Sequence, residues 1–307
     1  MSVMDGILPL WKPVGMTSHD CVNKMRKILG TKKVGHTGTL DPEVAGMLPM
    51  CIGMGTKIAQ YVTESKKVYE AEVKLGYATE TEDAEGAIID QKSVSSPIAR
   101  EELEKVLESF VGTITQVPPM YSAVRVEGKR LYEYAREGLE VERPQRTVTI
   151  YDISLLSDEV TYDEDGAATF NISITCSKGT YIRTLCVDIG KALGYPAHMS
   201  HLVRTASGSF EKEEGITFEQ IETAMDEGRI EEYLQPMERG VRHLDRLYVK
   251  QEEEDQVYHG TLFSKPKEMP TTNPFSMISQ HGKLLAIYQI HPDKPHLIKP
   301  VRVFQYD

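Results

Sequence analysis

Val34-Gly35-His36-Thr37-Gly38-Thr39-Leu40-Asp41-Pro42 reads as a stiff loop that the rest of the chain is built to hold. Pro42 disfavours α geometry at the residue before it, so Asp41 sits on extended or turn backbone with its carboxylate projecting. Gly35 and Gly38 let the backbone bend sharply or approach a ligand closely. The apolar run Met47-Leu48-Pro49-Met50-Cys51-Ile52 follows at once and reads as a buried strand anchoring the loop. By itself an Asp-Pro pair is an ordinary surface turn. Distant parts of the chain have to make it a site.

Upstream, Ser18 can cap a helix whose Val22, Met25, Ile28 and Leu29 share one face and which Gly30 stops. Trp11 to Ser18 is then a strand-to-helix loop. Downstream, Gly55 to Tyr61 reads as a short helix. Tyr69, Ala71, Val73 and Leu75 alternate with Glu70, Glu72 and Lys74 as a half-buried strand. Thr79 to Gly86 is a polar turn before a strand at Ala87 to Ile89. Ser96-Pro97 is expected to open a helix with Ile98, Leu103, Val106, Leu107 and Phe110 on one stripe. From Tyr121 to Arg146 the chain mixes charges with tyrosines and reads as an exposed insertion. Strands follow at Thr147 to Leu156 and Ala168 to Cys176, then a helix from Thr180 to Leu193 and a strand-like piece from His201 to Phe210. Thr217-Phe218-Glu219-Gln220 has the spacing of a capping box. Past residue 238 histidine and proline become frequent, and Leu284 to Ile290 and Leu297 to Phe304 read as strands of a small β-rich domain.

The chain has 307 residues, enough for one sizeable core and a smaller second domain. No apolar run approaches membrane-spanning length, and the N-terminus lacks a signal-peptide pattern, which points to the cytoplasm. Cysteines 21, 51, 176 and 186 show no metal-type spacing and read as reduced packing residues. A net charge of −11 argues against a wholly basic nucleic-acid binder. Its distribution is uneven, however: residues 1–40 hold six Lys/Arg against two acids. A polyanion can dock on the positive side of a protein polarised in this way.

No Walker loop or complete dinucleotide fingerprint is present, so no cofactor is expected. The His198-Met199-Ser200-His201 pair is too close for common zinc spacing, and no metal is expected either. A second loop does stand out: Cys176-Ser177-Lys178-Gly179-Thr180-Tyr181-Ile182-Arg183-Thr184. A strand ends there, a glycine turns, and a helix starts with Arg183 in its first turn. Helix N-termini bind phosphate, to which Lys178 would add charge. Alternatively Arg183 clamps a carboxylate by parallel hydrogen bonds and holds it ionised.

Taken in order, these segments carry a resemblance. Lys12-Pro13-Val14-Gly15-Met16-Thr17-Ser18, followed by Gly35 to Pro42, resembles the opening motifs of the TruB family, pseudouridine synthases that isomerise uridine 55 in the tRNA T-loop. Lys67-Val68-Tyr69-Glu70-Ala71, the Thr79 to Gly86 turn, Pro118-Pro119-Met120-Tyr121-Ser122-Ala123 and Ser177 to Arg183 occur in the family's order. The match covers roughly residues 7 to 210, and its specificity lies in the ordered combination.

The resemblance implies an α+β fold with a mixed, mainly antiparallel central sheet flanked by helices, and a small C-terminal β-rich PUA-like domain. The boundaries expected are 1–238 for the catalytic domain, with an RNA-contacting insertion at about 121–146, and 239–307 for the tail. Asp41 takes the place of the catalytic aspartate. Beside the sugar it would attack C1′, stabilise an oxocarbenium-like species, or remove a proton from C2′. By the same resemblance Arg183 would pair with Asp41, Tyr69 would stack on the uracil and Leu202 would line the pocket. A uridine inside a folded T-loop has to be flipped out, and His36 matches the residue that fills the gap. Lys12 matches a motif lysine read as structural support. The segment with Tyr121, together with Lys178 and Arg204, would contact RNA. The partner implied is the tRNA T stem-loop, with no membrane and no protein partner.

The chain also departs from the pattern: Ala45 stands where many members have threonine, and Leu202-Val203-Arg204-Thr205 where many have two arginines. The tail matches only in length and strand content. Rival readings are a non-catalytic RNA-binding or tRNA-folding factor and a carboxylate glycosidase, which would need a second acid facing Asp41.

Overall fold

The computed structural model describes residues 4–305, and the chain forms two compact units. One gathers residues 1–43, 47–65 and 207–307; the other gathers residues 44–46 and 66–206.

The first unit opens with strand β1 (Gly6–Lys12) and helix α1 (Ser18–Leu29). Helix α1 ends as expected, on Gly30 in the left-handed region at φ 64°. Its cap is Thr17 rather than Ser18: the Thr17 hydroxyl accepts from the Asp20 N–H, and the Asp20 carboxylate accepts from the Thr17 N–H. Strand β2 (Val34–His36) pairs antiparallel with β3 (Ala45–Ile52). A 3₁₀ turn then leads into helix α2 (Ala59–Glu64).

The second unit takes the middle of the chain. It comprises β4 (Lys67–Leu75), β5 (Tyr77–Thr79), β6 (Ile88–Gln91), α3 (Arg100–Ser109) and β7 (Gly112–Gln116). After these come β8 (Arg125–Val126), β9 (Lys129–Arg130), α4 (Leu131–Arg136), β10 (Arg146–Leu155) and β11 (Thr161–Tyr162). Strand β12 (Ala168–Cys176), helix α5 (Ile182–Ala192) and β13 (Ala197–Ser207) complete it. Its sheet runs β13-β4-β12-β10-β7, with β4–β12, β12–β10 and β10–β7 all antiparallel. One parallel contact joins Val203 and Arg204 of β13 to Ala45 and Gly46 of β3. The expected mixed, mainly antiparallel sheet is therefore observed.

One expectation shifts here. Helix α3 starts at Arg100, with Ala99 as an extended N-cap, not at Ser96-Pro97. The Ile98 N–H donates to the Tyr162 hydroxyl, which holds the segment out of the helix. The insertion forms its own β8–β9 hairpin and α4, outside the large sheet.

The chain then returns to the first unit with β14 (Phe210–Glu211), α6 (Phe218–Asp226) and α7 (Met237–Gly240). The Thr217–Gln220 capping box forms as its spacing predicted. Strand β15 (Arg246–Tyr248), helix α8 (Glu254–Tyr258), β16 (Phe263–Ser264), β17 (Phe275–Ile278), β18 (Leu284–Ile290) and β19 (Leu297–Val303) close the chain. They form a five-stranded sheet in the order β15-β17-β18-β19-β16.

Residues of β17 and β18 are buried on both faces. Ile278, Leu284, Ile287 and Phe304 pack with Ile7, Met47, Ile58, Tyr61 and Val62. Phe275, Met277, Leu285, Tyr288 and Ile298 pack with Val249 and Val257 on the other side. The sheet is thus distinct by strand pairing from residue 246 onward, but its core is shared with the first 65 residues of the chain. The four cysteines are free and buried, as packing residues. Among the described residues no helix is long and apolar enough to cross a membrane.

Candidate functional site

Of the residues singled out from sequence, Lys12, His36 and Asp41 lie in the first unit. Tyr69, Tyr121, Lys178, Arg183, Leu202 and Arg204 lie in the second.

In the first unit the Lys12 to Ser18 motif fastens the Asp41 loop. Lys12 is fully buried, and its ammonium donates to the carbonyls of Pro13 at 2.8 Å and Pro42 at 3.0 Å. The Gly15 N–H donates to the same Pro42 carbonyl at 2.9 Å. Ser18, freed from capping duty, brackets Leu40: its hydroxyl accepts from the Leu40 N–H at 2.9 Å and donates to the Leu40 carbonyl at 3.3 Å. Residues on both sides of Asp41 are therefore held, while Asp41 itself stays half-exposed. Thr37 is buried and donates to the Pro49 carbonyl at 2.9 Å, tying the loop to β3. His36 Nδ1 lies 3.1 Å from the Gly38 carbonyl oxygen, which requires the proton on that nitrogen. Gly38 takes φ 123°, which a side chain would resist.

In the second unit Tyr69 continues the inward parity of Ala71, Val73 and Leu75, but it is half-exposed where they are buried. The face of β4 opens at that point. Strand β13 runs beside it, with Ser200 bonding the Glu72 carboxylate and Thr205 bonding the Val68 carbonyl. Leu202 and Arg204, both buried, thus lie along the part of β4 that carries Tyr69. Gly46 packs so closely on Arg204 that a Cβ there would stand 2.3 Å from the Arg204 carbonyl oxygen.

Arg183 is 6% exposed. Its guanidinium donates to the Thr81 carbonyl at 3.1 Å, to the Tyr121 carbonyl at 2.9 Å and to the Asp83 carboxylate at 3.4 Å. Within its unit the cation is thereby gripped by the polar Thr79 to Gly86 turn and by the start of the insertion. The Tyr121 hydroxyl donates to Glu80, and that bond raises the Tyr121 pKa. Lys178 is exposed in the β12–α5 loop.

Two residues escaped the sequence reading. Lys67 is 4% exposed, and its amine is pushed down to about 7, first by burial and then by the charges of Arg204 and Lys178. Its signal was available: it stands at the inward parity of an amphipathic strand, where an ammonium is out of place. Glu82 takes a left-handed backbone at φ 63° and is bonded by Thr184. Nothing in its local sequence marks it. His198 packs on Tyr77, its Nδ1 3.0 Å from the Tyr77 carbonyl. Among the described residues no three ligating side chains gather around a metal position.

Comparison with known proteins follows the same division of motifs. Residues 26–182 match the family described as TruB family pseudouridylate synthase (N terminal domain). Residues 183–242 match the tRNA pseudouridylate synthase B C-terminal domain. The chain is 54% identical over 302 residues to the tRNA pseudouridine synthase B of Oceanobacillus iheyensis, covering 98% of each chain. It is 51% identical to that of Bacillus subtilis, again with 98% of each covered. Among solved structures it resembles a chain of an H/ACA RNP bound to a substrate RNA containing 2′-deoxyuridine. That match has a TM-score of 0.73 and 25% identity, over 99% of this chain and 86% of that one. A chain of a Cbf5-Nop10-Gar1 complex gives a TM-score of 0.72 at 27% identity, covering 99% and 85%. One family model spans more than half of the chain and relatives above 50% identity run along nearly its whole length, so the chain belongs to the TruB family of pseudouridylate synthases.

Proposed function

We propose that this protein isomerises uridine to pseudouridine at position 55 in the T-loop of tRNA, in the cytoplasm, with Asp41 as the catalytic carboxylate. Relatives of the same length, named for tRNA, support the substrate. The observation that carries the chemistry is the loop itself: Lys12, Gly15 and Ser18 pin the backbone on either side of a half-exposed Asp41. A carboxylate needs that rigidity to meet one sugar carbon, because catalytic geometry tolerates little misplacement. At the sugar it acts as nucleophile at C1′, as stabiliser of an oxocarbenium-like species or as base at C2′.

In this reading the uridine is flipped from its stack and His36 takes the vacated space. Tyr69 stacks on the uracil, Leu202 lines its pocket, and Arg183 is the countercharge of Asp41. Tyr121, Lys178 and Arg204 contact RNA. The tail from residue 239 onward is the small PUA-like domain. The Asp41→Asn variant keeps the shape of the side chain and loses the charge. Product formation is expected to vanish while tRNA affinity stays within about tenfold, roughly 1.4 kcal/mol. The check is tritium release from C5-labelled uridine in tRNA; release persisting in that variant refutes the assignment.

A further inference from the structure

Helix α5 presents Arg183 from a first turn that is poorly secured by its own sequence. Its N-cap, Tyr181, makes no side-chain cap, and no acid lies in the first turn. The acid comes instead from a hundred residues upstream. Glu82 Oε2 accepts from Thr184 Oγ1 at 2.7 Å, and Thr184 is 7% exposed. A carboxylate at this position also faces the positive end of the helix dipole.

The turn that carries Glu82 is shaped for this delivery. Glu82 stands at φ 63°, a conformation that L side chains rarely adopt. Its N–H donates to the Thr79 carbonyl at 3.2 Å, and its carbonyl accepts from the Met199 N–H at 3.0 Å. Its two neighbours, Thr81 and Asp83, hold the Arg183 guanidinium. Three consecutive residues therefore grip Arg183 at its tip and Thr184 beside it.

We propose that Glu82 is a positioning residue for Arg183, setting the first turn of α5 by accepting the Thr184 hydroxyl. This rests on the reading of Arg183 as the countercharge of the reacting carboxylate. The role is that of an acceptor more than of a charge. Burial raises the Glu82 pKa, whereas the Thr184 hydrogen bond and then Arg183 and Arg143 lower it, and Asp188 raises it a little. The Cys186 thiol, buried in the same helix, also feels the Glu82 charge.

The test uses the full chain acting on tRNA. Glu82→Gly keeps the left-handed turn and removes the acceptor. Thr184→Val removes the donor without changing volume or backbone. Each is expected to lower kcat roughly five- to tenfold with KM moved less than about twofold, while Glu82→Gln, which still accepts, stays within about twofold of the parent. Wild-type kcat in both Glu82→Gly and Thr184→Val, or Glu82→Gln as slow as Glu82→Gly, overturns the proposal. If Glu82→Gly does not fold, Thr184→Val decides alone.

A stability arm is independent of the reaction. A carboxyl raised in the fold binds its proton there before it does in the unfolded chain, so the parent loses stability as pH rises through the range just above ordinary carboxylate values. Glu82→Gln has no such loss, and its gain in thermal midpoint over the parent should grow across that range. An unchanging difference contradicts the buried acceptor. Arg183→Gln separates the two levels. Full activity in that variant fells the reading of Arg183. An inactive Arg183→Gln beside fully active Glu82→Gly and Thr184→Val fells only the present proposal.

Discussion

Lys67 shows how a single residue can be read from its surroundings rather than its type. Its side chain enters the interior from the first position of β4, opposite Cys176 on β12, with Arg204 and Lys178 as further cations. The folded amine is pushed from 10.5 down to about 7, whereas the unfolded chain keeps the ordinary value. Between those values the unfolded state binds a proton that the folded state does not. Stability must therefore rise with pH from neutrality into the alkaline range, by at most about 1.4 kcal/mol per pH unit for one group. Lys67→Met keeps the apolar stem and removes the proton. It should be the more stable protein at pH ~6, with the advantage shrinking towards pH ~9, as denaturant titrations at those pH values would show.

At the level of elements, the Thr17-Ser18 pair divides two tasks that the sequence leaves undivided. Both residues suit an N-cap, but only Thr17 closes the box with Asp20, and Ser18 reaches across to Leu40. Thr17→Ala should cost about 1 kcal/mol of unfolding free energy, as cap losses do, and leave kcat within about twofold. Ser18→Ala should lower kcat as well, because it leaves the cap but strands the buried Leu40 N–H, at a cost of about 1–3 kcal/mol, and releases the backbone next to Asp41. Measuring both quantities for both variants checks the division; a Ser18→Ala enzyme that turns over like the parent contradicts it.

For the molecule as a whole, the telling observation lies in the first unit, where the last strands share a core with the first. Ile278, Leu284, Ile287 and Phe304 cover Ile7, Ile58, Tyr61 and Val62. Gly240 sits where a Cβ would meet Ile7 Cδ1 at 2.6 Å and Val62 at 2.9 Å, so α7 also belongs to that packing. Large apolar side chains are worth about 2 kcal/mol each on burial, against a net stability of some 5–15 kcal/mol for a domain. A chain cut after Glu238 would uncover several of them at once. It should be insoluble or unfolded on expression, and a soluble, cooperatively melting fragment would show that the tail is dispensable to the fold.

Much of this protein was legible in one dimension wherever a property is local. The alternation of Tyr69 to Leu75, the glycine stop after α1 and the Thr217 capping box each depend on neighbours within a few residues, and each formed where the periodicity put it. The order of short motifs carried the family in the same way, since linear spacing is retained in a chain. Contacts across long separations were not legible. Arg183 held by Thr81 and Asp83, Lys12 on the Pro42 carbonyl, Glu82 on Thr184 and the tail packed on Ile7 each join residues thirty to nearly three hundred positions apart. Residue type allows many partners for an arginine or a buried lysine, and only the packing of the sheets selects among them. The sequence alone determined which side chains this protein has available for chemistry; the tertiary structure decided which backbone holds each one still, because burial and hydrogen-bond satisfaction are properties of the folded interior.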